Sequence, residues 1–133
     1  MKKSDISSSA PVILGIDTSC DDTSAAVVRG TTILSNVIAS QTQLHKPYGG
    51  VFPTVAKQAH AANIAPTIKI ALQRAKLTMA DITAIAVTVG PGLAPALEVG
   101  LTTAKQLAVE HRKPLLAINH MEAHALSALL TRN

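Results

Sequence analysis

The strongest constraint in this sequence is where its first apolar run stops. Val12-Ile13-Leu14-Gly15-Ile16 is short and almost continuously apolar, and it ends in Asp17-Thr18-Ser19-Cys20-Asp21-Asp22-Thr23. A run this short, bounded by turn chemistry, reads as a buried central strand. The small polar residues after it make a turn. Residues 24–28 form a second strand, Arg29-Gly30 a tight turn, and residues 31–40 a third strand. Three strands joined by such short loops predict an antiparallel meander.

The rest of the chain alternates helix and strand. A polar loop over 41–50 ends in Pro47-Tyr48-Gly49-Gly50. Residues 51–76 are predicted helical, because Ile64, Ile68, Ala71, Leu72 and Ala75 fall on one helical face. Pro66 lies inside that stretch, which predicts a kink or two abutting helices. Thr78 and Asp81 have the spacing of a capping box, with Asp in place of the usual Glu. Residues 82–89 read as a fourth strand, broken by Gly90-Pro91-Gly92. A second helix over 94–110 carries Leu97, Leu101, Ala104 and Ala108 on one face. His111-Arg112-Lys113 suit the negative end of its dipole, and Pro114 stops it. Residues 115–118 are a fifth strand, and Asn119 with Glu122 at N3 predicts a last helix. The expectation is an α/β fold with a mixed five-stranded sheet in the order β-β-β-α-β-α-β-α. This is the order of a ribonuclease H-like domain, the building block of the actin-like ATPase folds. Such a likeness does not by itself assign chemistry.

Composition supports a layered core. Hydrophobic residues make up 47% of 133 and charged residues 15%, enough apolar surface to exclude disorder. Aromatic residues are only 2%, so Ala, Val, Ile and Leu must build the core and let helices sit close to the sheet. The length fits one domain and is too short for two lobes with a cleft between them. The expected division is a disordered leader over 1–11 and one lobe over 12–133. The net charge of +4 fits ordinary solubility and, without a Lys/Arg cluster or stacking aromatics, does not argue for nucleic acid. Cys20 is the single cysteine, which excludes an intrachain disulfide and a Cys-rich zinc site. A reducing cytoplasm fits best. No apolar run is long enough to cross a membrane, so none is expected as a partner.

Three segments could carry chemistry. The turn Asp17–Thr23 holds three carboxylates within six residues, whose repulsion a bound cation would relieve. Its N–H groups and hydroxyls could also receive phosphate oxygens. An acidic, well-capped hairpin explains the same residues equally well. Gly90-Pro91-Gly92-Leu93 leads into a helix whose N-terminus could hold an anion. It lacks the Lys of a P-loop, and a plain tight turn is the simpler explanation. In His120-Met121-Glu122-Ala123-His124 the two His stand four apart, so one helical face can bring both imidazoles to one metal ion. Glu122 follows His120 by two residues, not one. On a helix that turns it about 200° away, which argues against the metallopeptidase reading.

Taken together these segments resemble the TsaD family of tRNA threonylcarbamoyltransferases, formerly called glycoproteases. The family's E-T-S-C-D-E-T is matched by Asp17-Thr18-Ser19-Cys20-Asp21-Asp22-Thr23. Its S-Q-x-x-x-H-x-x-Y-G-G-V-x-P is matched by Ser40-Gln41, His45, Tyr48-Gly49-Gly50-Val51 and Pro53, and a helical His by His60. Gly90-Pro91-Gly92-Leu93, Leu97, Val99 and Gly100 match G-P-G-L-x-x-x-L-x-V-G, and His120-Met121-Glu122-Ala123-His124 matches H-M-E-G-H. TsaB, the catalytically silent relative, lacks the paired His.

The resemblance implies two ribonuclease H-like lobes around a nucleotide cleft, of which this chain is the N-terminal one. It implies transfer of threonylcarbamoyl from threonylcarbamoyl-adenylate to N6 of adenosine 37 in tRNAs reading codons that start with A. It assigns His120 and His124 to a divalent metal, Fe(2+) first and zinc as the alternative, and links Asp22 to activity. Asp17, Ser19, Gly90 and Gly92 fall to the nucleotide, ATP or threonylcarbamoyl-adenylate. The implied partners are tRNA and TsaB-like and TsaE-like subunits.

The chain also departs from the family. Asp17 and Asp22 replace Glu, which keeps the charge and shortens the reach. Ala123 replaces Gly, which helix propensity favours. Glu98 stands where the family has a small or apolar residue, and it would weaken anion binding if it pointed inward. The family is more than twice as long, and its S-G-G-H-T phosphate loop and carboxylate metal ligand have no counterpart here. Alone, the chain is expected to be inactive and to bind metal weakly. The alternative is a non-catalytic partner-binding lobe, in the manner of TsaB.

Overall fold

The computed structural model describes residues 10–19, 22–40, 53–92, 94–119 and 131–132. The meander expected at the start of the chain is present. β1 (Val12–Asp17), β2 (Asp22–Arg29) and β3 (Thr32–Ser40) pair antiparallel in sequence order. A long helix, α1 (Pro53–Ala75), then crosses over to β4 (Ala84–Gly90), which lies parallel beside β1. A second helix, α2 (Ala94–His111), crosses to β5 (Leu115–Asn119), parallel beside β4. All five predicted strands form one mixed sheet. A two-residue strand, β6 (Thr131–Arg132), joins it parallel to β3 at the far edge, giving the order β5-β4-β1-β2-β3-β6. The last helix predicted from Asn119 and Glu122 falls on 120–130, outside the described residues, as does most of the 1–11 leader.

Alternation along the strands decides which face is buried. On β1, Val12, Leu14 and Ile16 turn to the helices; on β2, Thr23, Ala25 and Val27 do so. α1 packs on β2 and β3, and α2 on β4. Leu14, Val27, Ile64, Ile68, Ala71, Ile85, Val87 and Ala104 form the centre of the core, with no aromatic residue among them. Ser35 on β3 adds a buried hydrogen bond, its hydroxyl donating to the Ala71 carbonyl at 2.7 Å.

One expectation narrows and one changes. Of the kink or two abutting helices expected at Pro66, the two-helix alternative falls away, since α1 is one helix through Pro66. Pro66 and Ala62, whose carbonyl loses its N–H partner to the proline, are both exposed, so water can satisfy that carbonyl. The hydroxyl of Thr67 donates to the next carbonyl, Asn63, at 2.6 Å. On α2 the buried row is Ala96, Gly100, Ala104 and Ala108, whereas Leu97 and Leu101 are only half-buried. The small row wins because it lets the helix approach the end of β1.

Candidate functional site

The turn after β1 and the loop after β4 meet at the same end of the sheet. β1 and β4 are parallel neighbours, with Ile16 opposite Val87, so both chains leave the sheet side by side. This is the place where open parallel sheets hold ligands. The closeness is tight enough to require glycine. A Cβ on Gly92 would land on the Ser19 carbonyl. A Cβ on Gly100 would lie 2.5 Å from the Thr18 hydroxyl oxygen.

Thr18 explains the second contact. Its side chain is 1% exposed. Its hydroxyl donates to the Ala96 carbonyl at 2.7 Å and accepts from the Gly100 N–H at 3.1 Å. Ala96 and Gly100 are four apart, the two ends of one rung of the α2 hydrogen-bond ladder. A side chain from the β1 turn therefore inserts at a helix rung, two segments separated by 82 residues in sequence.

Asp17 ends β1, and its carboxylate accepts the Ser19 N–H at 2.7 Å, a local Asx turn. Ser19 is 4% exposed. The turn could be read as offering free N–H groups and hydroxyls to phosphate, or as a well-capped acidic hairpin. The Ser19 N–H and the Thr18 hydroxyl are instead engaged within the protein, so an anion here would have to meet other groups.

Asp22 was expected in the turn, but it begins β2, opposite Ser40. Asp17 pairs with Ser24 across the ladder. Asp22, two residues before Ser24, thus shares a sheet face with Asp17, away from the helices. Gly90 ends β4 opposite Asn119, and Gly92 is exposed beside Ser19. Asp17, Ser19, Gly90 and Gly92 are thus brought to one end of the sheet. His120 and His124 lie outside the described residues. Among the described residues no three His, Cys, Asp or Glu converge as a metal cage would.

Glu98 does not point at the site. Its carboxylate faces Lys57 of α1 at 3.9 Å, with both side chains more than half exposed. The pair lies in an open groove of about 280 Å3 between α1 and α2, lined also by Ala61, Ile64, Val99 and Thr102.

The residue pair that the sequence did not announce is Thr23 and His60. Both are fully buried, and Thr23 Oγ1 lies 2.7 Å from His60 Nδ1. His60 sits four residues before Ile64 and eight before Ile68, on the stripe that was read as core. That spacing was the available signal for it.

Residues 32–133 match the sequence model of the TsaD family, tRNA N6-adenosine threonylcarbamoyltransferase. The chain belongs to that family. The tRNA N6-adenosine threonylcarbamoyltransferase of Erythrobacter litoralis is 52% identical over 120 residues, covering 90% of this chain and 35% of the relative. That of Protochlamydia amoebophila is 52% identical over 121 residues, with the same coverage. The chain thus spans about a third of the length of these TsaD relatives. Among solved structures, YeaZ from Pseudomonas aeruginosa superposes with a TM-score of 0.67 at 20% identity, over 89% of this chain and 50% of that one. RuvC from T. thermophilus, solved with a Holliday junction substrate, gives 0.54 at 20% identity, over 89% of this chain and 71% of that one. These likenesses show the ribonuclease H-like fold of this chain.

Proposed function

We propose that this chain is the N-terminal part of a transferase that moves threonylcarbamoyl from threonylcarbamoyl-adenylate to N6 of adenosine 37, in tRNAs reading codons that start with A. The observation that carries the reading is family membership, with relatives of that name 52% identical over nine-tenths of the chain. The end of the sheet where Asp17, Asp22 and the Gly90–Gly92 loop gather is the part of the site this chain contributes. In the transfer a C–N bond forms at N6, the bond from the carbamoyl carbon to the phosphate oxygen breaks, and AMP leaves. The proton lost from N6 is assigned to the Asp22 carboxylate. Of the four residues expected at the nucleotide, Asp17, Gly90 and Gly92 are assigned to the adenylate, and Ser19, buried with its N–H on the Asp17 carboxylate, supports the turn from within.

His120 and His124 are the residues that would hold a divalent ion, iron first and zinc as the alternative; when bound, it supplies Lewis-acid polarisation of the carbonyl under attack. Their support is their four-residue spacing and their match to the family's H-M-E-G-H. The remaining ligands and the nucleotide loop belong to the two thirds of the relatives that have no counterpart here. The cell compartment in this reading is the cytoplasm, and no helix among the described residues is long and apolar enough to cross a membrane.

The test joins this chain to the remaining two thirds of the Erythrobacter litoralis relative. Supplied with threonylcarbamoyl-adenylate and tRNA, the chimaera is expected to form threonylcarbamoyladenosine, and the 133-residue chain alone is not. H120A/H124A should remove both the metal, by elemental analysis, and the activity. Full metal content in that variant would take the two His out of the role.

The groove between α1 and α2 supports a second reading, a partner-binding lobe for a TsaB-like or TsaE-like subunit. Its exposed Lys57–Glu98 pair and half-buried apolar floor suit a protein surface. Co-elution of the isolated chain with a TsaB-type subunit, without activity from the chimaera, would favour it.

A further inference from the structure

We propose that Thr18 and His60 are positioning residues, which hold the two ends of the acidic turn to two different helices and so fix where Asp17 and Asp22 stand. The inference rests on the transferase reading for its kinetic consequence, but not for its structural one.

The β1–β2 ladder ends at Asp17 and Ser24. Asp17 is the last residue of β1 paired with β2, and Asp22, opposite Ser40, is the first residue of β2 paired with β3. Both carboxylates thus stand at strand ends, each paired to one neighbouring strand. Two buried side-chain hydrogen bonds add to that hold. At the β1 end, the Thr18 hydroxyl occupies the Ala96–Gly100 rung of α2. At the β2 end, Thr23 meets His60 of α1 at 2.7 Å. Each anchored residue is the immediate chain neighbour of a carboxylate, Thr18 of Asp17 and Thr23 of Asp22. Alternation turns the anchors toward the helices and the carboxylates to the other side of the sheet.

The two bonds differ in how replaceable they are. The Thr18 hydroxyl donates and accepts at once, in a space kept open by the absent Cβ of Gly100. Valine has the shape of threonine but can do neither, whereas serine can do both. Gly100→Ala is the complementary change. It adds a favourable residue to a helix interior, yet places a Cβ 2.5 Å from the Thr18 oxygen and expels the hydroxyl. A merely local effect on helix stability predicts that G100A stabilises; displacement of an anchor predicts the reverse for the turn.

The experiment has two arms. In the 133-residue chain, hydrogen exchange of the Gly100 amide is compared for wild type, T18S, T18V and G100A. We expect at least a tenfold faster exchange in T18V and near wild-type protection in T18S. A T18A/G100A double variant, in which the added Cβ meets only the residue-18 Cβ at an ordinary 3.5 Å, should lose less Gly100 protection than T18A and G100A combined. In the chimaeric transferase, kcat and KM for tRNA and adenylate are measured for T18S, T18V and H60F. Misplacement of a reacting group by about 1 Å can cost on the order of 100-fold in rate, so T18V and H60F should lower kcat ten- to 100-fold with little change in KM, and T18S should restore it. Unchanged Gly100 protection in T18V would overturn the anchor at Thr18, whatever the activity. Wild-type kcat in both T18V and H60F would overturn the positioning role. An inactive wild-type chimaera would count against the transferase reading alone and leave the exchange arm to decide the anchor. Should T18V not fold, the G100A and T18S exchange rates decide it in the same way.

Discussion

His60 Nδ1 and Thr23 Oγ1 lie 2.7 Å apart with no solvent reaching either residue. A histidine in an apolar core is costly unless its ring nitrogens are hydrogen-bonded. Here the partner comes from the first inward position of β2, so the pair ties α1 to the strand that carries Asp22.

Thr23→Val keeps the shape and removes the hydroxyl. It leaves the buried ring nitrogen without its Thr23 partner, which costs about 1–3 kcal/mol. Urea denaturation of the 133-residue chain measures it directly. A loss within error of zero would mean that the bond contributes nothing net.

Gly92 and Gly15 should respond oppositely to the same change. A Cβ on Gly92 meets the Ser19 backbone, which cannot swing aside, so G92A should cost about 1–3 kcal/mol as an overpacked contact. A Cβ on Gly15 meets nothing closer than the Ala26 carbonyl at 3.9 Å. Alanine is better than glycine inside a strand by roughly 0.5–1 kcal/mol, so G15A should be neutral or slightly stabilising. Equal melting temperatures for the two variants would contradict the close approach of the loops.

The Lys57–Glu98 pair is long and exposed, so it should matter little to stability. K57A and E98A are each expected to change it by less than about 1 kcal/mol. Any coupling between them in a double-mutant cycle should fade with added salt. A large, salt-resistant coupling would place the pair in a drier environment than its exposure indicates.

Leu14 has no exposed surface and sits at the centre of the core on β1. Leu14→Ala should cost about 2–5 kcal/mol. For a domain whose whole stability is about 5–15 kcal/mol, that is a large share of the total and lowers the unfolding midpoint markedly. Urea denaturation followed by circular dichroism measures it.

Much of this architecture was legible in the sequence because its signals are local. The apolar run 12–16, the close spacing of the first three strands and the stripe Ile64, Ile68, Ala71 each dictate an element without help from distant residues. What was not legible depends on contact between segments far apart. Nothing near Thr18 announces that its hydroxyl enters a rung of α2, 82 residues away. The same contact explains why the buried row of α2 is Ala96, Gly100, Ala104 and Ala108, and not the Leu97 and Leu101 that hydrophobicity favoured. Close approach selected small residues over apolar ones. Asp22 moved from turn to strand for a related reason, since only its pairing with Ser40 on β3 extends β2 that far.

In the function proposed above, these residues form the N-terminal part of a threonylcarbamoyltransferase. The most direct test replaces the matching third of the Erythrobacter litoralis gene by this sequence in the chromosome and quantifies threonylcarbamoyladenosine in total tRNA by mass spectrometry. The account predicts that the modified nucleoside persists, and that it disappears when Asp22 is also changed to Ala. Loss of the nucleoside with a stably expressed, correctly folded chimaera, or its persistence in the D22A strain, would contradict the account.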